Sequence, residues 1–190
     1  MSKKNLAAYI SKIVYLTEEQ MTFVLQHFKP FSFKKNQLLV HIGEVNQFMN
    51  FVEKGCVRFY FLKEDGLEVT RHIVFEQQFG TGLASFITGK PSEEALQVME
   101  DSVLLRISRK DFYYLLEMIP AWEKFYRDYL EYAYTNNLNI FQRGATKDAG
   151  ERYKELLRIN PQIIKRLPNK VVASYLNMSP ETLSRLKSKH

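Results

Sequence analysis

Apolar residues recur along this chain in two rhythms, one at every third or fourth place and one at about every second, and the rhythm changes twice. Residues 5–28 (NLAAYISKIVYLTEEQMTFVLQHF) carry helical spacing. Thr17 followed by Glu18, Glu19 and Gln20 is a capping-box signature for a helix starting there. From about Phe31 to Ser108 short β-prone runs follow one another: NQLLVHI, FMNFVEKG, CVRFYFLK, LEVTRHIVF and SVLLRIS. Turn signals separate them at Gly43, Gly55, Asp65-Gly66, Gly80 and Gly82. Asp65-Gly66, between Val57–Lys63 and Leu67–Phe75, predicts a hairpin closed by a two-residue turn, because such turns need positive φ angles. Many short strands at near-regular spacing predict a closed or two-layer antiparallel roll.

From Asp111 the spacing is helical again, and one long helix is expected after Pro120, from Trp122 to about Arg143. One stripe runs Ile119, Trp122, Tyr126, Tyr129, Ala133, Asn136 and Ile140 in steps of three and four, a heptad seam with one polar place at Asn136. A second set, Phe125, Leu130, Tyr134, Leu138 and Phe141, lies on other faces. A helix that is apolar on more than one side needs two partners. The expected pair is the chain's own roll and a second copy of the same helix, giving a homodimer joined through Trp122, Tyr126, Tyr129, Ala133, Asn136 and Ile140. The alternative is one broad core-facing helix in a monomer. A helical pattern around Glu151–Arg158 then leads through Pro161 to the end of the chain.

The last 22 residues, NKVVASYLNMSPETLSRLKSKH, hold the most specific pattern. Val172, Leu176, Met178, Leu183 and Leu186 are apolar, and Ala173 is small where a second helix would press against the first. Asn177 falls at the turn, where a left-handed residue is commonly needed. Ser179 is placed to cap a new helix, Pro180 takes its first position, and Glu181 suits its positive end. The exposed face of that helix would carry Glu181, Ser184, Arg185, Ser188 and Lys189, groups able to reach base edges and phosphates. A helix-turn-helix is expected, against the plainer reading of an ordinary helical hairpin.

Charge supports it. The chain has a formal net charge of +6, yet residues 1–142 hold 16 basic and 17 acidic side chains. The excess lies from Arg143 onward, where 11 Lys or Arg face only 4 Asp or Glu. Phosphate contacts would need it there. With 45% hydrophobic residues among 190, the chain can bury a substantial core. No apolar run approaches the roughly 20 residues of a membrane span, and MSKKNLAAYISK lacks a secretory apolar stretch, so a soluble cytoplasmic protein is expected. Cys56 is the single cysteine, which excludes an intramolecular disulfide or a multi-cysteine metal site. His27, His41, His72 and His190 show no ligand spacing, and no catalytic triad, paired carboxylates or phosphate loop stands out. Neither an enzyme nor a bound cofactor or metal is expected.

Roll, long helix, helix-turn-helix: in this order the chain resembles the Crp/Fnr superfamily of bacterial transcription regulators over nearly its whole length. HIGEVNQFMNFVEKGCVRFYF is similar to the family's strand–turn–strand segment, with Gly43, Glu44 and Gly55 at the turns. FGTGLASF stands where its phosphate-binding cassette begins, and SPETLSR is similar to the start of its recognition helix. The resemblance implies an α+β fold: a jelly-roll-like antiparallel β-roll flanked by helices over 1–118, a dimerisation helix over 119–145, and an all-α helix-turn-helix domain over 146–190. It implies double-stranded DNA, a second copy of the chain and RNA polymerase as partners, and DNA contacts by Ser179, Glu181, Thr182, Ser184, Arg185, Lys170 and Lys189. It places an effector cavity, for an unknown small molecule, at Phe79, Gly80, Gly82, Leu83, Ser85, Ser92 and Asn137.

Two departures qualify it. The family's cassette has a Glu that holds the ribose and, about ten residues later, an Arg that holds the cyclic phosphate. Here Gly82 stands at the Glu place and Ser92 and Glu93 near the Arg place, while Glu93 and Glu94 would repel a phosphate. Lys90 is nearby, but a flexible ammonium does not replace a bidentate guanidinium. Binding of cyclic AMP in the family's manner is therefore not expected. Family members also follow the recognition helix with a small β-hairpin wing, which is not expected here. DNA affinity is then expected to rest on the recognition helix, on Lys165, Arg166 and Lys170, and on dimerisation. The alternative function is a small-ligand-binding or protein-interaction module whose roll remains while DNA binding is lost.

Overall fold

The computed structural model describes residues 3–188, excepting the side chains at 143 and 145. Two helices open the chain, α1 (Lys4–Ile13) and α2 (Glu18–His27). Thr17 caps α2 as the sequence predicts: its hydroxyl accepts from the Gln20 amide, and the Gln20 side chain accepts from the Thr17 amide. Eight strands follow: β1 (Lys29–Phe33), β2 (Leu38–Val40), β3 (Phe48–Lys54), β4 (Val57–Leu62), β5 (Glu68–Val74), β6 (Phe79–Gly80), β7 (Ala95–Val98) and β8 (Ser102–Ser108). A short helix, α3 (Leu83–Thr88), sits between β6 and β7. Then come α4 (Arg109–Met118) and the 27-residue α5 (Pro120–Thr146).

The strands form two four-stranded sheets, in the orders β1-β8-β3-β6 and β2-β7-β4-β5. This is the antiparallel roll expected, and the fold class is α+β. In the first sheet β8 pairs antiparallel with both β1 and β3, for example Phe31↔Leu104 and Phe51↔Leu105. The period-two alternation explains why both faces are buried. Met49 and Phe51 on β3, with Leu105 and Ile107 on β8, face a cluster made with α1, α2, α4 and α5. Val52 and Leu104 face the other way, into a second cluster with Val57, Phe59, Val74, Leu96 and Val98. The helical cluster is aromatic: Trp122 lies stacked on Phe125 at 4.2 Å between ring centroids, and Phe112 meets Trp122 at 5.9 Å.

The β4–β5 hairpin corrects one detail. Only Gly66 takes a positive φ (78°), the Gly66 amide donates to the Lys63 carbonyl, and the Lys63 amide donates to Leu67. The loop is thus three residues long, a turn over Lys63–Gly66 followed by a left-handed glycine, rather than a two-residue turn.

Gly55, between β3 and β4, has φ +100°, and a Cβ placed on it would collide with Ser102, coming within 2.9 Å of its Cα. Backbone cannot yield as a flexible side chain would. Gly55→Ala should therefore cost about 1–3 kcal/mol, read as a lower urea midpoint at unchanged slope.

The chain divides into two units, residues 1–59 with 74–132, and residues 60–73 with 133–190. α5 passes from the first to the second after Tyr132, and the outer part of the β4–β5 hairpin groups with the C-terminal helices. Besides these the second unit holds α6 (Ala149–Ile159), α7 (Pro161–Arg166), α8 (Asn169–Tyr175) and α9 (Pro180–Lys187).

The seam read along α5 is partly corrected. Ile119, Trp122 and Tyr129 are buried, at 3%, 0% and 8% exposure, in the aromatic cluster of their own unit, and Tyr126 packs against the same cluster. Ala133, Asn136 and Ile140 are half-buried. A helical period identifies an apolar stripe but not what covers it, and here the roll and α4 cover its first half. Phe125, from the second set, is also fully buried, whereas Tyr134, Leu138 and Phe141 stand exposed at 67%, 41% and 73%.

Candidate nucleic-acid interface

α8 and α9 form a helix-turn-helix built as the sequence reads. Val172, Ala173, Leu176 and Leu183 are buried between the two helices and their neighbours, and the near-zero exposure of Ala173 shows why the place must be small. Asn177 takes the left-handed conformation at φ 50°. Ser179 caps α9, its hydroxyl accepting from the Thr182 amide at 3.2 Å, and Pro180 occupies the first turn.

Glu181, Ser184 and Arg185 are exposed on α9 and Lys170 is exposed on α8. The α9 N-terminal amide at Glu181 itself, helped by Ser179 and Arg185, lowers the Glu181 carboxyl below its ordinary value, so it stays an acceptor. Arg185 Nη2 donates to Thr182 Oγ1 at 3.2 Å. Ser179 and Thr182 are thus engaged in the helix cap, while Glu181, Ser184 and Arg185 are exposed to solvent. Lys187 Nζ donates to Asn169 Oδ1 at 2.6 Å and ties α9 to the start of α8. Lys165 is exposed, and Arg166 Nη1 donates to Gln162 Oε1. Lys189 lies outside the described residues.

Two supports escaped the sequence reading. Arg152 on α6 donates from Nε to the Leu176 carbonyl (2.8 Å), from Nη2 to the Asn177 carbonyl (3.2 Å), and from Nη1 to the Lys147 carbonyl. One guanidinium thereby holds the turn that sets the angle between α8 and α9. Ser174 on α8 accepts from the Thr70 amide at 2.8 Å and donates to the Glu68 carbonyl at 2.7 Å, so the β4–β5 hairpin grips the helix-turn-helix. Both contacts join residues far apart in sequence, and no local spacing announces them. The only sequence signal near Arg152 is the Asp148–Glu151 capping box that fixes the start of α6.

In the first unit, several of the residues expected around an effector cavity are engaged with their neighbours. Phe79 is 4% exposed and meets Phe51, Phe125 and Tyr129 edge-on in the aromatic cluster. Leu83 packs against that cluster too. A Cβ on Gly80 would come within 2.9 Å of Phe59 and of Val74, so side chains already fill that space. Ser85 Oγ accepts from the Asn46 amide and donates to the Lys90 carbonyl. Ser92 Oγ donates to the Glu94 carbonyl, and its backbone pairs with Gly43 and Glu44. Asn137 belongs to the second unit, where it accepts from Arg71 at 3.0 Å. At the family's Glu place, a Cβ on Gly82 would stand 3.6 Å from the buried carboxylate of Glu94.

Residues 30–118 match the family model of the cyclic nucleotide-binding domain. Several solved structures have the same fold. FixK2 from Bradyrhizobium japonicum is 17% identical at a TM-score of 0.76, with 85% of this chain and 83% of that one covered. The c-di-GMP-responsive global regulator CLP from Xanthomonas campestris is 16% identical at 0.74, with 91% of each chain covered. A putative regulator of the Crp/Fnr family from Eubacterium rectale is 15% identical at 0.69, over 90% and 82%. The fold is that of the Crp/Fnr regulators. The sequence matches no curated protein. The domain match ends at Met118, two residues before α5 begins, and leaves the long helix and the C-terminal helices to the structural likeness. Among the described residues no helix is long and apolar enough to cross a membrane, and no cluster of three or more His, Cys, Asp or Glu is arranged to hold a metal.

Proposed function

We propose that this chain is a DNA-binding transcription regulator acting as a homodimer, with α9 as its reading helix and an effector other than cyclic AMP. The observation that carries the reading is the exposed face of α9: Glu181 and Arg185 stand outward one helical turn apart, on a helix held by Ser179, Lys187 and the Arg152-braced turn. A guanidinium in that place makes two parallel hydrogen bonds to guanine, and a carboxylate accepts from cytosine. The positive excess from Arg143 onward supplies the phosphate contacts.

The second copy is assigned to the stripe Tyr134, Leu138 and Phe141, whose spacing places them on one face and whose exposure in a single chain leaves them needing cover. This replaces the half of the seam that the first unit buries.

Arg185→Ala should weaken a specific site by about 1–3 kcal/mol while leaving random duplex binding nearly intact. Lys170→Ala should weaken all sequences alike and flatten the salt dependence by about one unit. Titration of labelled duplexes at several salt concentrations reads both. Two variants indistinguishable from wild type would remove α9 as the reading helix and leave the alternative of a ligand-binding or interaction module.

A further inference from the structure

We infer that the first unit binds a small carboxylate with a flat apolar body where β1, β3 and β8 lie side by side. The Arg106 guanidinium would take the carboxylate and the Phe31 ring the body. The site shares no residue with the cassette segment, and it does not depend on the proposed role of α9.

Strand pairing assembles it. Lys29 on β1 and Asn50 on β3 are both cross-strand partners of Arg106 on β8, so the three side chains share one face of the first sheet. Phe31, Phe33 and Phe48 occupy the alternate places beside them and so point the same way. Phe48 covers the guanidinium, with Cζ 3.9 Å from the ring centroid, and Phe31 and Phe33 flank it at 5.4 Å each. Arg106 Nε donates to Asn50 Oδ1 at 2.9 Å, and Asn50 Nδ2 donates to the Gly80 carbonyl at 3.0 Å. The guanidinium is thereby held in one orientation.

Its charge has no carboxylate against it. Arg106 is only 9% exposed, and a cation so placed ordinarily has an acidic partner. Among the described residues it forms no ion pair. Burial alone shifts its pKa, lowering it to about 10, where an adjacent carboxylate would act in the opposite direction. Nη1 and Nη2 make no hydrogen bond among the described residues, yet they are not sealed. The buried polar side-chain atoms without a partner are Glu53 Oε2 and Trp122 Nε1. Nε is engaged, so the end of the fork is what remains, and its two nitrogens match the two oxygens of a carboxylate. Lys29, exposed on the same face, adds a second positive charge. Were Arg106 only a packing group, an apolar side chain would serve as well or better.

Phe31 selects the body of the ligand. It is 42% exposed on the edge strand, and it stacks on Phe33 at 6.4 Å and 26°. Ring surface therefore stands open beside the fork, where a flat apolar group gains contact that a bare anion cannot.

The test is calorimetry on the 190-residue chain with 2-naphthoate, 2-naphthamide, acetate and inorganic phosphate. One naphthoate per chain is expected, with the neutral amide on the order of tenfold weaker for loss of the charge-assisted contact. Acetate and phosphate should also be at least about tenfold weaker, since neither covers Phe31. Arg106→Lys, which keeps the charge and loses the fork, should weaken naphthoate about tenfold. Phe31→Ala removes a half-exposed ring, so the chain should stay folded by urea unfolding while naphthoate binding falls at least about fivefold. This second variant decides the matter should Arg106→Lys fail to fold. No naphthoate binding at millimolar ligand, or equal binding of the amide, would overturn the site. Naphthoate bound unchanged by Phe31→Ala would place the ligand elsewhere and overturn it too. Phosphate or acetate binding as tightly as naphthoate would overturn the selection of a flat body.

Discussion

Replacing Trp122 with alanine should lower the stability of the first unit by about 3–5 kcal/mol while leaving the association state unchanged. The indole is fully buried, stacked on Phe125 and packed against Phe112, so its removal opens a cavity among rigid rings that cannot close over it. Since no part of it is exposed in a single chain, it has no surface to offer a partner. Its Nε1 finds no acceptor among the described residues. Trp122→Phe should accordingly be far milder, because it removes an unsatisfied donor along with part of the packing. Urea unfolding and light scattering of both variants check this. A Trp122→Ala chain that becomes monomeric at unchanged stability would restore the seam read from the sequence.

The opposite pattern is expected from the double variant Leu138→Glu with Phe141→Glu. These side chains are 41% and 73% exposed, so charging them costs the single chain almost nothing in packing. Across a symmetric helix pair each residue would meet its own copy or a near neighbour, and four new carboxylates would be brought together in an apolar contact. The wild type should scatter as twice the 22.4 kDa of the chain and the variant as 22.4 kDa, at micromolar protein. DNA binding should fall with it, because two linked reading helices lose their joint hold. A variant that remains dimeric would place the contact elsewhere.

What was legible in the sequence follows the range of the forces involved. The helix-turn-helix was legible nearly residue by residue, since the small place at Ala173, the left-handed Asn177 and the Ser179 cap are local requirements. The Thr17 cap was read for the same reason. The hairpin was read, but not the length of its loop, because Asp-Gly suits both a two-residue turn and a three-residue loop with a left-handed glycine. Along α5 the apolar period was visible and its partner was not: Trp122 and Phe141 are both large aromatics at helical spacing, yet one is sealed under α4 and the roll and the other faces outward. The cassette departures at Gly82 and Ser92 were legible as missing chemistry. That Phe59 and Val74 fill the space beside Gly80 required the fold. Arg152 and Ser174 act across long sequence separations, beyond any spacing rule.

The central claim is that a symmetric pair of α9 helices reads a two-fold site in DNA. Selection of random duplexes by the 190-residue chain, followed by hydroxyl-radical footprinting on the enriched sequence, tests it most directly. The expected result is a palindrome with two protected half-sites about one helical turn, roughly 34 Å, apart, bound with a steep salt dependence and lost on Arg185→Ala. Enrichment of no symmetric sequence, or a footprint that Arg185→Ala leaves unchanged, would contradict it.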